Sequence, residues 1–414
     1  MTAGYTLVRL RYAWARAREE GLAWTIRELL VRGARIPVWL LLLPLTVIAH
    51  LAGFRRLPVI VGRIGHFAAE VDCFLKLRAL GRLPARRWFI LAPEGRVANP
   101  VLADLWRKHV PTVSNPLACA IIDAATRWGP ARHDITDYVM AITGAASYYR
   151  VNADWVGRPP LLSLSGADRA RGQEALRALG LPDGAWYVCL HARGPGYSPA
   201  DERMHLHRNS DPSRLLPAID RIIARGGWCI RMGDPSMPPL PSRAGLVDYA
   251  HHPLRSPFID VFLCASCRFF LGNSSGLFVV STIFGRPCAL ANVTPLATLG
   301  FARGDLSIPK LLWSRSESRM LRFDEVLASP LANARVSVQY REAGIDLIEN
   351  SAEEIAELVE EMVEQSEASA RYDEGARALQ GRFAGLLRPW HYCYGSEARV
   401  AASFLRRHRE LLPE

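Results

Sequence analysis

The chain has 414 residues, half of them hydrophobic, with a formal charge of +11, enough for two or three domains with sizeable cores. Only Lys76, Lys108 and Lys310 are lysines, so the positive charge is almost all arginine, the better fork for phosphate and a fit to anionic membrane surfaces. The eight cysteines lie scattered, mostly in apolar runs, which excludes a disulfide framework and indicates buried thiols in a reducing compartment.

Residues 1–56 carry nine arginines against three glutamates, with Trp14, Trp24 and Trp39 interleaved. Within them "IPVWLLLLPLTVIAHLAGF" (36–54) is apolar for about one membrane span, near the lower limit of ~17–25 residues, and Pro37 and Pro44 interrupt it. The pattern fits a basic segment lying peripherally or monotopically on the cytoplasmic face of an inner membrane. A single span and a buried helix of the first domain are the alternatives. No secretory signal is evident.

From residue 57 strands and helices alternate. "LPVIVGRIGHFAAEVDCFLKLRALG" reads as a strand, a turn at Gly62–His66 and a helix, and "RRWFILAPEG" as a second strand and turn. Residues 116–128 and 135–150 read as helical. After the Pro/Gly-rich "VGRPPLLSLSG" a second series begins with the strand in "AWYVCLHARGPG". It continues through a helix at 213–225, the strand "GWCIRMGDP", a short strand at 246–250, a helix at 258–266, the strand "RFFLG", a helix at 275–284 and the strand "PCALAN". "SAEEIAELVEEMVEQSE" opens with a capping box, Ser351 and Glu354, and predicts an amphipathic helix with a solvated acidic face. The expected architecture is α/β: two facing Rossmann-like, doubly wound domains. The boundaries are 1–56 for the membrane-associating segment, 57–184 for the first Rossmann-like domain, 185–345 for the second and 346–414 for C-terminal helices packing back on the core.

In open parallel sheets, ligands bind beyond the carboxyl ends of the strands. The turns there hold Arg63 and His66 in the first series. In the second they hold His191 and Arg193, then Arg231, Gly233 and Asp234, then Asn273, Ser274, Ser275, Gly276 and Leu277. Arg208 and Asn209 belong to a loop too polar for a core. Helices starting at such turns aim N–H groups at a bound anion, and the set suits a diphosphate with Arg193 as its main charge partner. Simpler roles stand beside these: tight turns at Gly272 and Gly276, a helix cap at Ser275, and an aspartate salt bridge at Arg231. "GNSSG" (272–276) also matches the G-x-S-x-G elbow of a hydrolase. D-x-D, P-loop and G-x-G-x-x-G patterns are absent, as are nucleic-acid modules. Cys264 and Cys267 form a lone C-x-x-C without a second pair or a nearby histidine, so no metal site is expected.

The blocks "GRIGHFAAEVDCFL", "LHARGPGY", "RNSDPSRLLPAI", "IRMGDPSMPPLP" and "FLGNSSGLFVVSTIFGRPC", in that order over about residues 57–300, resemble bacterial glycosyltransferases of the GT-B type associated with surface polysaccharide. The arrangement is also similar to heptosyltransferases, in which a glycine–aspartate turn carries the catalytic carboxylate and a threonine–glycine turn cradles the donor diphosphate. The resemblance places Gly65-His66 at the first turn, with histidine where the carboxylate stands, and Ser275-Gly276-Leu277 at the second. His191-x-Arg193 is similar to the H-x-R motif of some GDP-fucose-using enzymes.

The reading is an inverting, metal-independent glycosyltransferase that uses no cofactor. It takes a nucleotide-sugar as co-substrate and a glycan or lipid-linked acceptor, works at the inner-membrane face and binds no nucleic acid. His66 is the expected base, with Glu70 or Asp72 as substitutes. The alternatives are an α/β-hydrolase using Ser274, with Asp305, Asp324 or Asp346 and His391 completing a triad, and a nucleotide-sugar-binding protein without catalysis.

Overall fold

Short parallel strands between helices run through the chain, of which the computed structural model describes residues 14, 17, 18, 20–127, 144–196 and 199–413. Two compact units divide it, Met1–Val151 and Asn152–Glu414. The expected helix at 135–150 lies outside the described residues as far as 143 and is helical over Gly144–Asp154.

In the first unit β1 (Phe54–Arg56), β2 (Arg87–Leu91) and β3 (Thr112–Val113) form a parallel sheet in that order. The strand expected after residue 57 therefore lies earlier, for a local reason. Leu57 N–H makes the last ladder bond, to Phe89 O at 2.9 Å, and Pro58 has no N–H to continue it. Ile60 N–H then turns to the Glu70 carboxylate, 2.9 Å away. The helix Ile64–Ala79 follows and buries Phe67, Val71 and Phe74 completely, with Phe74 edge-on to Trp88 of β2 at 5.0 Å. Asn99 and Asn115 cap the helices Pro100–Arg107 and Pro116–Thr126, each of which has proline in the first turn, where its missing N–H costs nothing.

The apolar run expected to stand apart is a helix of this unit, Ile36–Leu51. Thr46 Oγ1 donates to Ala125 O at 2.6 Å, and Arg56 pairs with Asp123 at 2.6 Å. Pro44 sits inside the helix, and the break falls at Arg35, where the helix meets Leu22–Ala34 at a bend of 40°. No single helix among the described residues is long and apolar enough to cross a membrane.

The second unit is built on a seven-stranded sheet, every pairing parallel. Its strands are β4 (Tyr187–His191), β5 (Trp228–Arg231), β6 (Leu246–Val247), β7 (Phe269–Gly272), β8 (Cys288–Val293), β9 (Leu306–Pro309) and, after the smaller sheet, β13 (Arg399–Val400). The order is β13-β9-β8-β7-β4-β5-β6. The chain winds one way from β4 through β5 to β6, then restarts at β7 on the other side of β4. The winding reverses between β4 and β7. An antiparallel sheet β11-β10-β12 from Leu311–Ser314 (β10), Arg319–Met320 (β11) and Ile345–Ile348 (β12) completes the unit.

The division at Val151/Asn152 precedes the 184/185 boundary expected from composition because the helix Gly166–Ala178 is seated on the helix Pro257–Ser266. A Cβ on Gly172 would lie 1.9 Å from the Phe262 ring, so only glycine permits that approach. The capping-box helix is observed as Ala352–Ser366 and buries Ile355, Leu358, Val359 and Met362. Its acidic side is more engaged than a solvated face: Glu354 meets His408 at 2.5 Å and Glu353 meets Arg221 at 2.6 Å.

Candidate functional site

β4 and β7 lie side by side with His191 opposite Gly272, so the turns leaving them are neighbours at the point where the winding reverses. An open parallel sheet has a crevice there, because consecutive connections leave on opposite faces. Gly272 allows the close approach, since a Cβ would lie 3.1 Å from His191 O and 2.7 Å from the Phe270 ring.

Asn273 joins the two turns. Its Oδ1 accepts from Arg193 N–H at 3.1 Å, and its Nδ2 donates to Arg208 O at 3.0 Å and Ser210 Oγ at 2.8 Å. Ser210 N–H in turn donates to Arg193 O at 3.0 Å. With Asn273 only 2 % exposed, one buried amide fixes three pieces of chain far apart in sequence, because each of its polar atoms must find a partner.

Three cations stand around this joint. Arg193 donates to His205 O at 3.1 Å and to Asn209 Oδ1, and it approaches Glu202 at 3.4 Å. Arg208 Nε donates to Ser274 O at 2.6 Å. Lys310, just past β9 and buried, donates to Asn209 O at 2.6 Å and faces Glu349 at 3.7 Å. Their combined field is felt by His207, whose pKa is held well below the ordinary range by desolvation and then by Arg208, His205, Lys310 and Arg193. Lys310 was not among the residues singled out from sequence. The available signal was its rarity, a lysine retained directly after a strand in a chain that otherwise uses arginine.

The turn 273–277 differs from the expected helix start. The helix is Phe278–Ile283, its N-cap is Leu277, and no side chain caps it. Ser275 is therefore not a cap. Its N–H closes a tight turn onto Asn273 O at 2.5 Å, and its buried hydroxyl has no hydrogen-bond partner. The preceding residue, Ser274, has its carbonyl held by Arg208, and an orphaned hydroxyl next to such a turn is the kind of group a bound polar ligand satisfies.

The remaining expected contacts separate into helpers and struts. His191 donates from Nδ1 to Met232 O at 3.2 Å, and burial pushes its pKa down to about 4, so it is a neutral group at this crevice and not a charge partner for an anion. Arg231 is a correction. It is 1 % exposed, pairs with both oxygens of Asp248 at 3.0 and 3.2 Å and donates to Pro238 O, so it braces the loop after β5. Gly233 and Asp234 shape that loop. Gly233 has φ +145° and a Cβ there would strike Met237 Sδ at 2.3 Å, while Asp234 accepts from Ser236 N–H at 2.9 Å.

In the first unit Arg63 is the exposed N-cap residue of the helix Ile64–Ala79. His66 and Glu70, one turn apart, face each other with Nδ1 to Oε1 at 2.6 Å, and the other Glu70 oxygen accepts from Ile60 N–H. Glu70 is wholly buried and His66 is partly exposed. Both Glu70 oxygens are thus engaged, one by the His66 ring and one by Ile60 N–H, so Glu70 fixes the orientation of the imidazole. Asp72 is wholly buried, and its Oδ2 pairs with Lys76 at 2.7 Å and accepts from Tyr148 OH at 2.8 Å, so this oxygen braces the helix against Tyr148.

The elbow reading of the GNSSG turn fails on geometry. Ser274 Oγ accepts from Thr294 N–H at 3.1 Å and donates to Thr294 O at 3.3 Å, with no imidazole partner. Both nitrogens of His391 are occupied, by Arg388 N–H and Leu327 O at 2.9 Å each. Asp305 accepts three backbone N–H groups, and Asp324 and Asp346 pair with Arg322 and Arg315. Among the described residues no group of three or more His, Cys, Asp or Glu could hold a metal ion.

No protein-family model matches the sequence. No curated protein matches it either. Among solved structures, the chain is similar to a glycosyl transferase family 9 protein from Veillonella parvula, at 12 % identity and TM-score 0.32, covering 57 % of this chain and 80 % of that one. It is also similar to ADP-heptose lipopolysaccharide heptosyltransferase II of E. coli, at 12 % identity and TM-score 0.38, covering 76 % of this chain and 100 % of that one. A spinosyn forosaminyltransferase matches at 14 % identity and TM-score 0.28, covering 86 % of this chain and 99 % of that one. At such identities and TM-scores these likenesses carry no weight for the activity, which must be argued from the residues at the ends of β4 and β7.

Proposed function

We propose that the protein is a glycosyltransferase that moves a sugar from a nucleotide-sugar to a hydroxyl of a glycan or lipid-linked acceptor, with inversion and without a metal. The observation that carries this is the set Arg193, Arg208 and Lys310 around the Asn273 joint at the winding reversal, with the Ser275 hydroxyl unpartnered beside it. Fixed cations and N–H groups of this kind stabilise the charge that develops on a leaving diphosphate. In the first unit, His66 Nε2 would take the proton of the acceptor hydroxyl while Glu70 holds the imidazole. The acceptor oxygen bonds to the anomeric carbon, the bond from that carbon to the diphosphate breaks, and a nucleoside diphosphate leaves.

The test is a screen of UDP-, GDP-, CMP-, ADP- and dTDP-linked sugars for a rise in unfolding temperature, followed by assay of release of the donor's nucleotide with the stabilising donor. A donor that binds the native state raises that temperature by an amount that grows with the logarithm of its concentration over Kd. Stabilisation by one donor class and turnover dependent on His66 support the reading. Stabilisation without turnover under any acceptor would mark a binding protein, and no stabilisation by any donor would reject both.

A further inference from the structure

We propose that the first unit lies on an anionic bilayer surface through one apolar face built from two separate stretches of chain, the helices Ile36–Leu51 and Pro116–Thr126, with Ile36–Leu51 in the plane of the membrane. The inference is independent of the glycosyl-transfer reading. Helix Ile36–Leu51 is packed inside out for a protein in water. It buries Thr46, 1 % exposed and bonded to Ala125 O, and exposes Leu41 at 79 %, Leu45 at 60 % and Ile48 at 63 %. The helix it packs on also exposes two apolar side chains one turn apart, Leu117 at 70 % and Ile121 at 50 %. Large apolar side chains exposed on two packed helices mark an interaction site.

Charge selects the occupant. Arg27 and Arg35 lie before the apolar helix and Arg55 after it, with Arg86 and Arg87 at the start of the neighbouring strand β2. The Arg87 guanidinium sits 5.3 Å over the Phe54 ring. Among the described residues none of these five pairs with a carboxylate. Lipid phosphates supply the missing anions, whereas a second copy would bring the same arginines against them.

Length and position argue against a crossing. Sixteen residues span about 24 Å at 1.5 Å each, short of a hydrocarbon core of ~30 Å. The helix pair Leu22–Ala34 with Ile36–Leu51 is long enough together, but it would place exposed Arg35 near the bilayer centre. Thr46 also ties the helix to Pro116–Thr126, which precludes lipid on all sides.

The test is flotation of the purified full chain with vesicles of phosphatidylcholine, alone or mixed with phosphatidylglycerol. Wild type should float with the mixed vesicles and much less with phosphatidylcholine alone. The double variant Leu117→Glu/Ile121→Glu should float at least about tenfold less, although both positions lie far outside residues 36–51. Leu117→Glu adds a carboxylate to a helix first turn, where the macrodipole favours it, so the fold should survive. Leu117→Gln/Ile121→Gln serves if the unfolding temperature moves. Unchanged flotation of a folded double variant, no preference for anionic lipid, or a change in self-association without a change in flotation would each overturn the proposal.

Discussion

Arg193 already holds an anion of the protein's own. Glu202 stands 3.4 Å from its guanidinium, with the two side chains 16 % and 17 % exposed, and the other Glu202 oxygen accepts from Asn209 at 2.5 Å. A nucleoside diphosphate that takes Arg193 must compete with this carboxylate. Glu202→Gln removes the charge while keeping an oxygen for Asn209. At 3.4 Å and an effective dielectric of about 20, the Coulomb energy of the pair is roughly 5 kcal/mol. Desolvation and screening of a partly buried pair leave about 1–2 kcal/mol of that. The variant should therefore bind its preferred nucleoside diphosphate about fivefold to thirtyfold more tightly, measured by isothermal titration. Glu202→Ala should gain less, because Asn209 then loses its acceptor. A folded Glu202→Gln protein with unchanged or weaker affinity would show that Arg193 does not face the ligand.

His66→Ala should lower turnover by about 10²–10⁴-fold with donor affinity little changed, the usual worth of a general base. Glu70→Gln should also lower turnover by loosening the hold on the His66 ring, with donor affinity unchanged, and equal turnover in the two proteins would separate Glu70 from the chemistry. Ser274→Ala removes hydrogen bonds to the Thr294 backbone and should cost about 1 kcal/mol, less than tenfold in rate; an inactive variant that still binds nucleotide would restore the nucleophile reading. His191 has a folded pKa lowered to about 4, so the unfolded chain binds the extra proton between that value and its ordinary pKa near 6.5. Stability should fall as pH drops through this window, and His191→Gln should flatten the slope there. An equal slope in both proteins would contradict the burial argument.

The sheet strands around the crevice were legible because "YVCL" and "FFLG" are continuous apolar runs, the mark of strands covered on both faces. The helix after Ser351 was legible from its own cap. β3, β11 and β13 have two residues each, and a pattern of that length carries no period to read. The Asn273 joint was out of reach for another reason, since its partners lie at 193, 208 and 210 and only the fold brings them together. The same applies to Arg231, which looked like a strand-end ligand until Asp248 was placed against it. The His66–Glu70 pair could have been found, because a spacing of four puts both on one helix face, yet the two were weighed as rivals instead of partners. The cap role offered for Ser275 fails because "SGLFVVSTIF" has helical composition from its first residue, while the backbone delays the helix to Phe278.

Calorimetric titration of the full chain with UDP, GDP, CDP, ADP and dTDP measures whether the crevice at the ends of β4 and β7 binds a diphosphate. At least one should bind wild type, and Arg193→Ala should weaken that binding by roughly 1.5–3 kcal/mol, the worth of a charge-assisted hydrogen bond, or about ten- to a hundredfold. Equal affinity in the two proteins, or no heat with any of the five, would contradict a diphosphate site there.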